Sequence, residues 1–330
     1  MLEALETVKP GLANREIIEQ VTSFAFINGM VVTYNDRISI AHPVKGLELE
    51  GAVVAENLYK FLSKIKDEEI ELEVEGNEII ITSGRSKAGL TLQSEIKLPL
   101  KRELETKAKW KDLPENFVEG MKFVMSACSK DMSTPIYTAV HVNKAGFVEG
   151  TDRYRIAHFE LSGEMPVDTF LLPATSTVEM VKLQPTKIAE GSGWMHFQTE
   201  EGTIISCRIY AEEFPSSKAF LKIEGAKLIL PKTVEEVLDR AMIFAKRDHL
   251  LDESVDITVS NNRLKVSAKA EAGWFKEETN MRYEGDPIMF SIAPYLLKGI
   301  LSKTQGCEIT SNKLKFEGEG WKYITTLRNG

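Results

Sequence analysis

Residues 36–42 read DRISIAH, and residues 152–158 read DRYRIAH. Five of the seven letters agree across a separation of 116 residues, and neither stretch contains glycine or proline. Two charged strand-like segments written almost alike raise a choice. Either Asp152-Arg153-Tyr154-Arg155 is the centre of an active site, or it belongs to a structural unit that the chain uses more than once. A catalytic centre has no need to recur, whereas turn chemistry does, because each copy of a hairpin must solve the same backbone problem. Asp36 and Asp152, each before an arginine at the start of a strand, are therefore expected to cap turns. His42 and His158 fall at one repeat position and are expected to serve the strand rather than a reaction.

A third copy of the strand is sought at 262–268, NRLKVSA, 110 residues further on. Small turns precede the three strands: Asn28-Gly29, Lys144-Ala145-Gly146 and Asn261-Asn262. A second unit follows each, with VVAENLYKFLSKI at 53–65, LPATSTVEMVKLQ at 172–184 and SIAPYLLKGILSK at 291–303. Ala55, Ala174 and Ala293 align at two equal spacings of 119. Hairpin-like pairs come next, with Asn77, Gly193 and Asn312 at the turns, where positive φ is tolerated. A helix is also expected ahead of each first unit, near 14–21, 114–128 and 232–246, with Pro114 opening one and Thr233 capping another.

Length alone suggests about two domains at roughly 150 residues each. The measured period overrides it. The sequence predicts an α+β chain of three pseudo-repeated domains, 1–110, 111–223 and 224–330, each with two helices packed on antiparallel sheets.

The composition is that of an ordinary globular chain, 43% hydrophobic and 27% charged, with a formal net charge of −8. Cys128, Cys207 and Cys307 are far apart and in no C-x-x-C pair, which reads as reduced thiols. The first residues, MLEALETVKP, do not resemble a signal peptide, and no window reaches the roughly 18 apolar residues of a membrane span. A cytoplasmic protein with no membrane partner is expected.

Charge is not spread evenly. The three second-unit helices are expected to carry Lys60, Lys64, Lys66, Lys182, Lys187, Lys298 and Lys303 against Glu56 and Glu179. At 100° per residue, Lys60 and Lys64 point away from the stripe of Leu58, Phe61, Leu62 and Ile65. Lysines on exposed helix faces ordinarily do no more than solvate them. The same bias in three equivalent helices points instead to a shared basic surface, to which Arg240 and Arg247 add in the other helix set.

Motifs for phosphate loops, dinucleotide folds, nucleophile elbows and metal helices are absent from the sequence. His42, His141, His158, His196 and His249 make no metal-ligand spacing with one another or with cysteine. No catalytic residue, metal or cofactor is expected.

Taken in order, these segments resemble the bacterial DNA sliding clamp, the β subunit of DNA polymerase III. GTDRYRIA at 150–157 resembles the family's Ala-Thr-Asp-Gly-His-Arg-Leu-Ala strand. EEFPSSKAFL at 212–221 resembles its Phe-Pro-Asp-Tyr connector, and TVEEVLDRAMIFAKRD and YEGDPIMFSIAPYLLKGIL its last-domain helical units. The resemblance covers essentially the whole chain, weakest over residues 1–50. It implies a non-catalytic, head-to-tail homodimer closed into a ring around duplex DNA without regard to sequence, tethering the DNA polymerase and served by a clamp loader.

On that reading the DNA-facing residues are Lys60, Lys64, Lys122, Lys182, Lys187, Arg240, Arg247, Lys298 and Lys303. The family's partner-peptide cleft maps onto Val142, Thr151, Arg153, Tyr154, Arg155 and Ile156. It takes Pro215 and Phe220 from the connector, Tyr295 from a helix, and Ile324 and Leu327 from the last strand. Arg153-Tyr154 stands where the family has Gly-His, the tail KYITTLRNG lacks the family's Met-Pro-Met ending, and the chain is shorter than typical members. A divergent clamp, viral ones included, fits these departures. The alternative is a clamp-like scaffold that binds proteins without encircling DNA.

Overall fold

The computed structural model describes residues 1–65, 70–99, 109–248, 250, 252–271 and 273–328. Lys66 and His249 lie outside them. Six α-helices occur among the described residues: α1 (Leu2–Val8), α2 (Ala55–Leu62), α3 (Phe117–Met125), α4 (Ala174–Leu183), α5 (Val234–Ala245) and α6 (Pro294–Leu301). None is long and apolar enough to cross a membrane.

Five of the six follow the expected pattern. In α2, Leu58 and Leu62 are buried while Lys60 is exposed, as a 3.6-residue period requires. α4 stops where Gln184 turns left-handed at φ 53°. The first helix is the exception. It occupies Leu2–Val8 rather than 14–21. Residues 14–21 form an irregular loop in which Gln20 takes φ 70°, its N–H bonded to Glu16 Oε1 at 2.9 Å and its amide bridging Glu95 O and Lys97 N. The apolar letters that suggested a helix include Ile17, which is 90% exposed. Thr233 does sit at the N-cap of α5, but its hydroxyl bonds Thr279 Oγ1 and not the helix.

The chain divides into two compact units. One comprises Met1–Val118, Asn143–Ala145 and Ser162–Ala211; the other Glu119–Val142, Gly146–Leu161 and Glu212–Gly330. The middle repeat is thus split between them, because the sheets run on from one repeat into the next.

In the first unit, strands 51–54, 23–27, 30–34, 38–43, 204–208, 194–198, 187–191 and 111–112 form one antiparallel sheet in that order. The junction between repeats is the pairing of 38–43 with 204–208, where Ile40 faces Ile205. Both isoleucines are fully buried, so the junction is part of the core. Thr33 Oγ1 donates to Val8 O at 2.5 Å and fastens α1 to the sheet. A separate three-stranded sheet holds 71–75, 78–83 and 86–91.

The second unit repeats the arrangement. Its strands run 139–143, 147–151, 155–160, 321–326, 313–318, 306–309, 226–229, and the junction of 155–160 with 321–326 places Ile156 opposite Ile324. α3 crosses strand 147–151 closely at Gly150, where a Cβ would stand 2.2 Å from Val124 O. A four-stranded sheet, in the order 273–280, 263–270, 255–260, 288–292, completes this unit.

The third copy of the opening strand is not NRLKVSA. Asn28-Gly29 and Asn261-Asn262 do make equivalent two-residue hairpin turns, between Ile27 and Met30 and between Ser260 and Arg263. Residues 263–270 then correspond to 30–34, and the strand matching DRISIAH is 273–280, GWFKEETN. Strands 38–43 and 155–160 carry apolar letters because each is sandwiched inside a sheet. Strand 273–280 is an edge among the described strands and alternates half-buried and exposed residues, so the letters that made the repeat visible are gone. At the later hairpin turns, Gly76 and Gly193 take positive φ; Asn77 and Asn312 do not.

Candidate functional site: a cleft loop and a set of basic side chains

Loop 151–155 is built from its own side chains. Asp152 Oδ1 accepts the N–H groups of Tyr154 and Arg155, both at 3.0 Å, and Oδ2 accepts Arg155 Nε at 3.1 Å. Thr151 Oγ1 accepts Arg153 N–H and donates to Arg155 O at 2.6 Å. Asp152 therefore closes a turn, as its short side chain is suited to do.

Arg155 carries that loop into its surroundings. Its guanidinium donates to Ser126 O at 2.8 Å, reaches Tyr323 Oη at 3.4 Å and lies 5.2 Å from the Tyr295 ring centroid. Tyr323 in turn donates to Leu296 O on α6 at 2.6 Å. Burial pushes the Tyr323 phenol up to about 12, against the opposing pull of Arg155, and burial likewise raises Tyr295. Both phenols stay neutral donors. The loop is sewn to the last strand as well, since Thr326 donates its N–H and its hydroxyl to Tyr154 O at 2.8 and 3.1 Å.

Arg153 occupies the one residue of the loop at positive φ, 76°. That backbone region favours glycine, because an L side chain is crowded there. The arginine is exposed and stands 5.6 Å from the Tyr137 ring centroid.

Below the loop, Ile156, Ile223 and Ile324 form one apolar cluster, with Phe220 and Leu221 packed against it. Lys313 Nζ sits 4.2 Å from the centroid of the Phe220 ring. The structure thus gathers Ile156, Ile324 and Phe220, and it joins Thr151, Arg155 and Tyr295 through the loop. Val142 and Ile324 are fully buried, and Ile156 and Leu327 nearly so. They are floor rather than contact surface. Arg153, Tyr154 and Pro215 are exposed, while Thr151, Arg155, Phe220 and Tyr295 are half-buried.

Two residues that hold the connector were not visible in the sequence. Glu149, 1% exposed, accepts His158 Nδ1 at 2.8 Å, His141 Nδ1 at 3.2 Å and the Ser217 hydroxyl at 2.5 Å. Burial alone would raise its pKa; the three donors outweigh it and hold the carboxyl at about 2. His141 also stacks on Phe214 at 4.6 Å, so Phe214 and Ser217 clip segment 212–221 to the sheet. The near repeat of His42 and His158 was a partial signal. His42 bonds Thr203 Oγ1 in the first unit, also between strands.

All nine basic candidates are exposed. Lys60, Lys64, Lys182 and Lys187 belong to the first unit; Lys122, Arg240, Arg247, Lys298 and Lys303 belong to the second. Lys187 is a correction: it opens strand 187–191 and is not on a helix, because the left-handed Gln184 ends α4 three residues earlier. Lys60 pairs with Glu56, Lys182 with Glu179, and Lys298 with Asp239. Arg240 makes two bonds to Glu277, at 2.7 and 2.9 Å, and Arg247 donates to main-chain carbonyls. Lys303 Nζ lies 5.2 Å from the Phe123 ring centroid. Lys64, Lys122, Lys187 and Lys303 make no ion pair among the described residues. Exposed pairs are worth about 0–1 kcal/mol, so the paired cations can exchange partners for a phosphate at small cost.

No protein-family profile matches the sequence. No curated protein matches it either. Solved structures do. The β subunit from the DNA polymerase of Streptococcus pyogenes superposes with a TM-score of 0.87 at 17% identity, over 100% of this chain and 97% of that one. The DNA polymerase III β subunit of Pseudomonas aeruginosa gives 0.85 at 15% identity, and the DNA polymerase sliding clamp of Bacillus subtilis 0.84 at 16%, each with the same coverage. At such identity the likeness speaks for architecture, and it runs from end to end: the fold of this chain is that of the DNA polymerase III β subunits.

Proposed function

We propose that the chain is a DNA sliding clamp: three domains, 1–110, 111–223 and 224–330, that close with a second copy into a ring around duplex DNA and tether a DNA polymerase. The observation that carries this reading is a whole-chain likeness to β subunits, combined with exposed cations on or beside α2 to α6 in a chain of net charge −8. Duplex DNA carries a phosphate charge every ~1.7 Å of axis, so a basic lining attracts it without reading bases, and an acidic exterior discourages binding elsewhere. Topology supplies retention, so individual contacts need only be weak and quickly exchanged. The half-neutralised lysines and arginines suit that demand better than a rigid set of phosphate clamps would.

The 151–155 loop, Phe220 and Tyr295 are proposed to receive a short peptide from the polymerase or from a clamp loader, with Arg153 and Tyr154 at its rim. Apolar anchoring beside a stacked arginine suits a peptide that buries a few side chains. No reaction and no cofactor enters this account. The test is polymerase processivity with Lys60, Lys64, Lys182 and Lys298 changed together to Glu. Shortened products with the fold intact are expected; unaltered processivity would contradict the DNA-facing assignment. Partner binding with no retention on circular DNA would favour the scaffold reading instead.

A further inference from the structure

Arg153 stands at φ 76°, where glycine would meet no crowding, and its side chain is exposed. Its guanidinium makes no hydrogen bond or ion pair among the described residues and lies 5.6 Å from the Tyr137 ring centroid. Tyr137 is itself fixed, its N–H bonded to Thr134 O at 3.1 Å and its carbonyl accepting Ser129 N–H at 2.7 Å. A strained backbone position occupied by an exposed cation points to a use at the surface.

Lys313 is a second such cation. Its Nζ sits 4.2 Å from the centroid of the Phe220 ring, and it too makes no ion pair among the described residues. One strand joins the two sites: Thr326 donates to Tyr154 O on one side and pairs with Lys313 on the other. Two strand spacings, ~10 Å, therefore separate Tyr154 from Lys313 at the main chain, a span that about three residues of extended peptide cover.

The carboxylates around these cations are committed elsewhere. Asp152 closes its own turn and holds Arg155. Glu149 serves His141, His158 and Ser217. Glu308 and Glu317 both pair with Lys315, at 3.0 and 3.2 Å. Lys315 is buried in the same sheet, opposite Ile324, where an unpaired ammonium would be costly. Arg153 and Lys313, at the rim, are left without one.

We propose that the cleft takes an acidic peptide, with Arg153, held beside Tyr137, receiving a carboxylate of the partner, and Lys313 adding a positive charge next to the Phe220 anchor. This rests on the cleft reading above and adds the charge of the occupant. The planar guanidinium suits a carboxylate, which it can bind through two parallel N–H bonds. A nucleic-acid strand would bring phosphates to the same cations, but the floor of Ile156, Ile223 and Ile324 under Phe220 and Leu221 is built for apolar side chains. A rim charge of this kind acts on the rate of association and on partner choice more than on the bound lifetime.

The experiment is selection of a random nonapeptide library on the immobilised full chain, followed by fluorescence anisotropy with the enriched peptides. Enriched sequences are expected to carry Asp or Glu within three residues of apolar anchors, and to lose affinity in Phe220→Ala. Replacing the acid by its amide is expected to weaken binding about fivefold. Arg153→Gln, its urea midpoint measured alongside, is expected to bind the acidic peptide as weakly and to tell the two peptides apart no longer. Arg153→Glu is expected to prefer a lysine at that peptide position. Enrichment without acidic residues, or an acid preference that survives Arg153→Gln, would overturn the proposal and leave the cleft in place. Displacement by oligo(dT) at lower concentration than by unlabelled peptide would assign the cations to a nucleic-acid strand and overturn it too. No enrichment at all, or binding indifferent to Phe220→Ala, would overturn the cleft reading as well.

Discussion

Glu149 lies 2.8 Å from His158 across neighbouring strands, and among the described residues its buried carboxylate has three donors, none of them a lysine or arginine. Its pKa is depressed from 4.5 to about 2, so its contribution to stability is fully present above 4.5 and is lost as pH falls towards 2. The shift corresponds to about 3 kcal/mol. Urea unfolding followed from pH 5 to pH 2 is expected to show that acid loss in wild type and a much flatter profile in Glu149→Gln, which starts from lower stability. Parallel profiles would show that the connector clasp is not ionised as described.

Arg153 provides a backbone test. At φ 76° glycine is free of the crowding that any side chain meets, while a β-branched residue meets the most. Arg153→Gly is expected to keep stability within about 0.5 kcal/mol of wild type, relief of strain offsetting the extra freedom of the unfolded chain. Arg153→Val is expected to cost about 1–2 kcal/mol in denaturant unfolding. Equal costs for the two would refute a left-handed residue here.

Arg155 is expected to be intolerant of both alanine and lysine. Alanine removes the side-chain donor from Asp152 Oδ2 and from Ser126 O, while Oδ1 keeps its two backbone donors, at about 2–3 kcal/mol. A lysine lacks the planar fork that serves Asp152, Ser126 O and the Tyr295 ring together. Thermal unfolding of the two variants should therefore give similar losses, whereas recovery by lysine would mean that charge alone matters.

For the basic set, Lys64, Lys122 and Lys303 are the direct probes, because no acidic partner masks them among the described residues. Replacing one by Gln is expected to lower the slope of log K against log salt by about 0.9 if that lysine meets a phosphate. Measured DNA binding over a salt series gives the slope for each. Slopes identical to wild type in all three would remove the cations from the DNA path.

How much of this was readable in the letters depends on where each residue sits. DRISIAH and DRYRIAH announced the repeat because both strands are buried at sheet junctions, where Ile40, Ile156 and their neighbours are held by packing. The third strand, 273–280, was misplaced because as an edge it carries Trp, Lys and Glu on its outer face. The helix expected at 14–21 failed because Gln20 spends its side chain on Glu95 and Lys97, contacts some 75 residues away that no local pattern encodes. Asp152 was legible as a turn former, since its partners are two and three residues along. Glu149 was not, because its partners come from three separate segments. Lys187 looked like a helix residue until the left-handed Gln184 ended α4.

Whether two copies close around DNA is read most plainly by imaging negatively stained particles at micromolar concentration. Closed two-copy rings with an open central hole are expected. Particles without a hole at every concentration would contradict it.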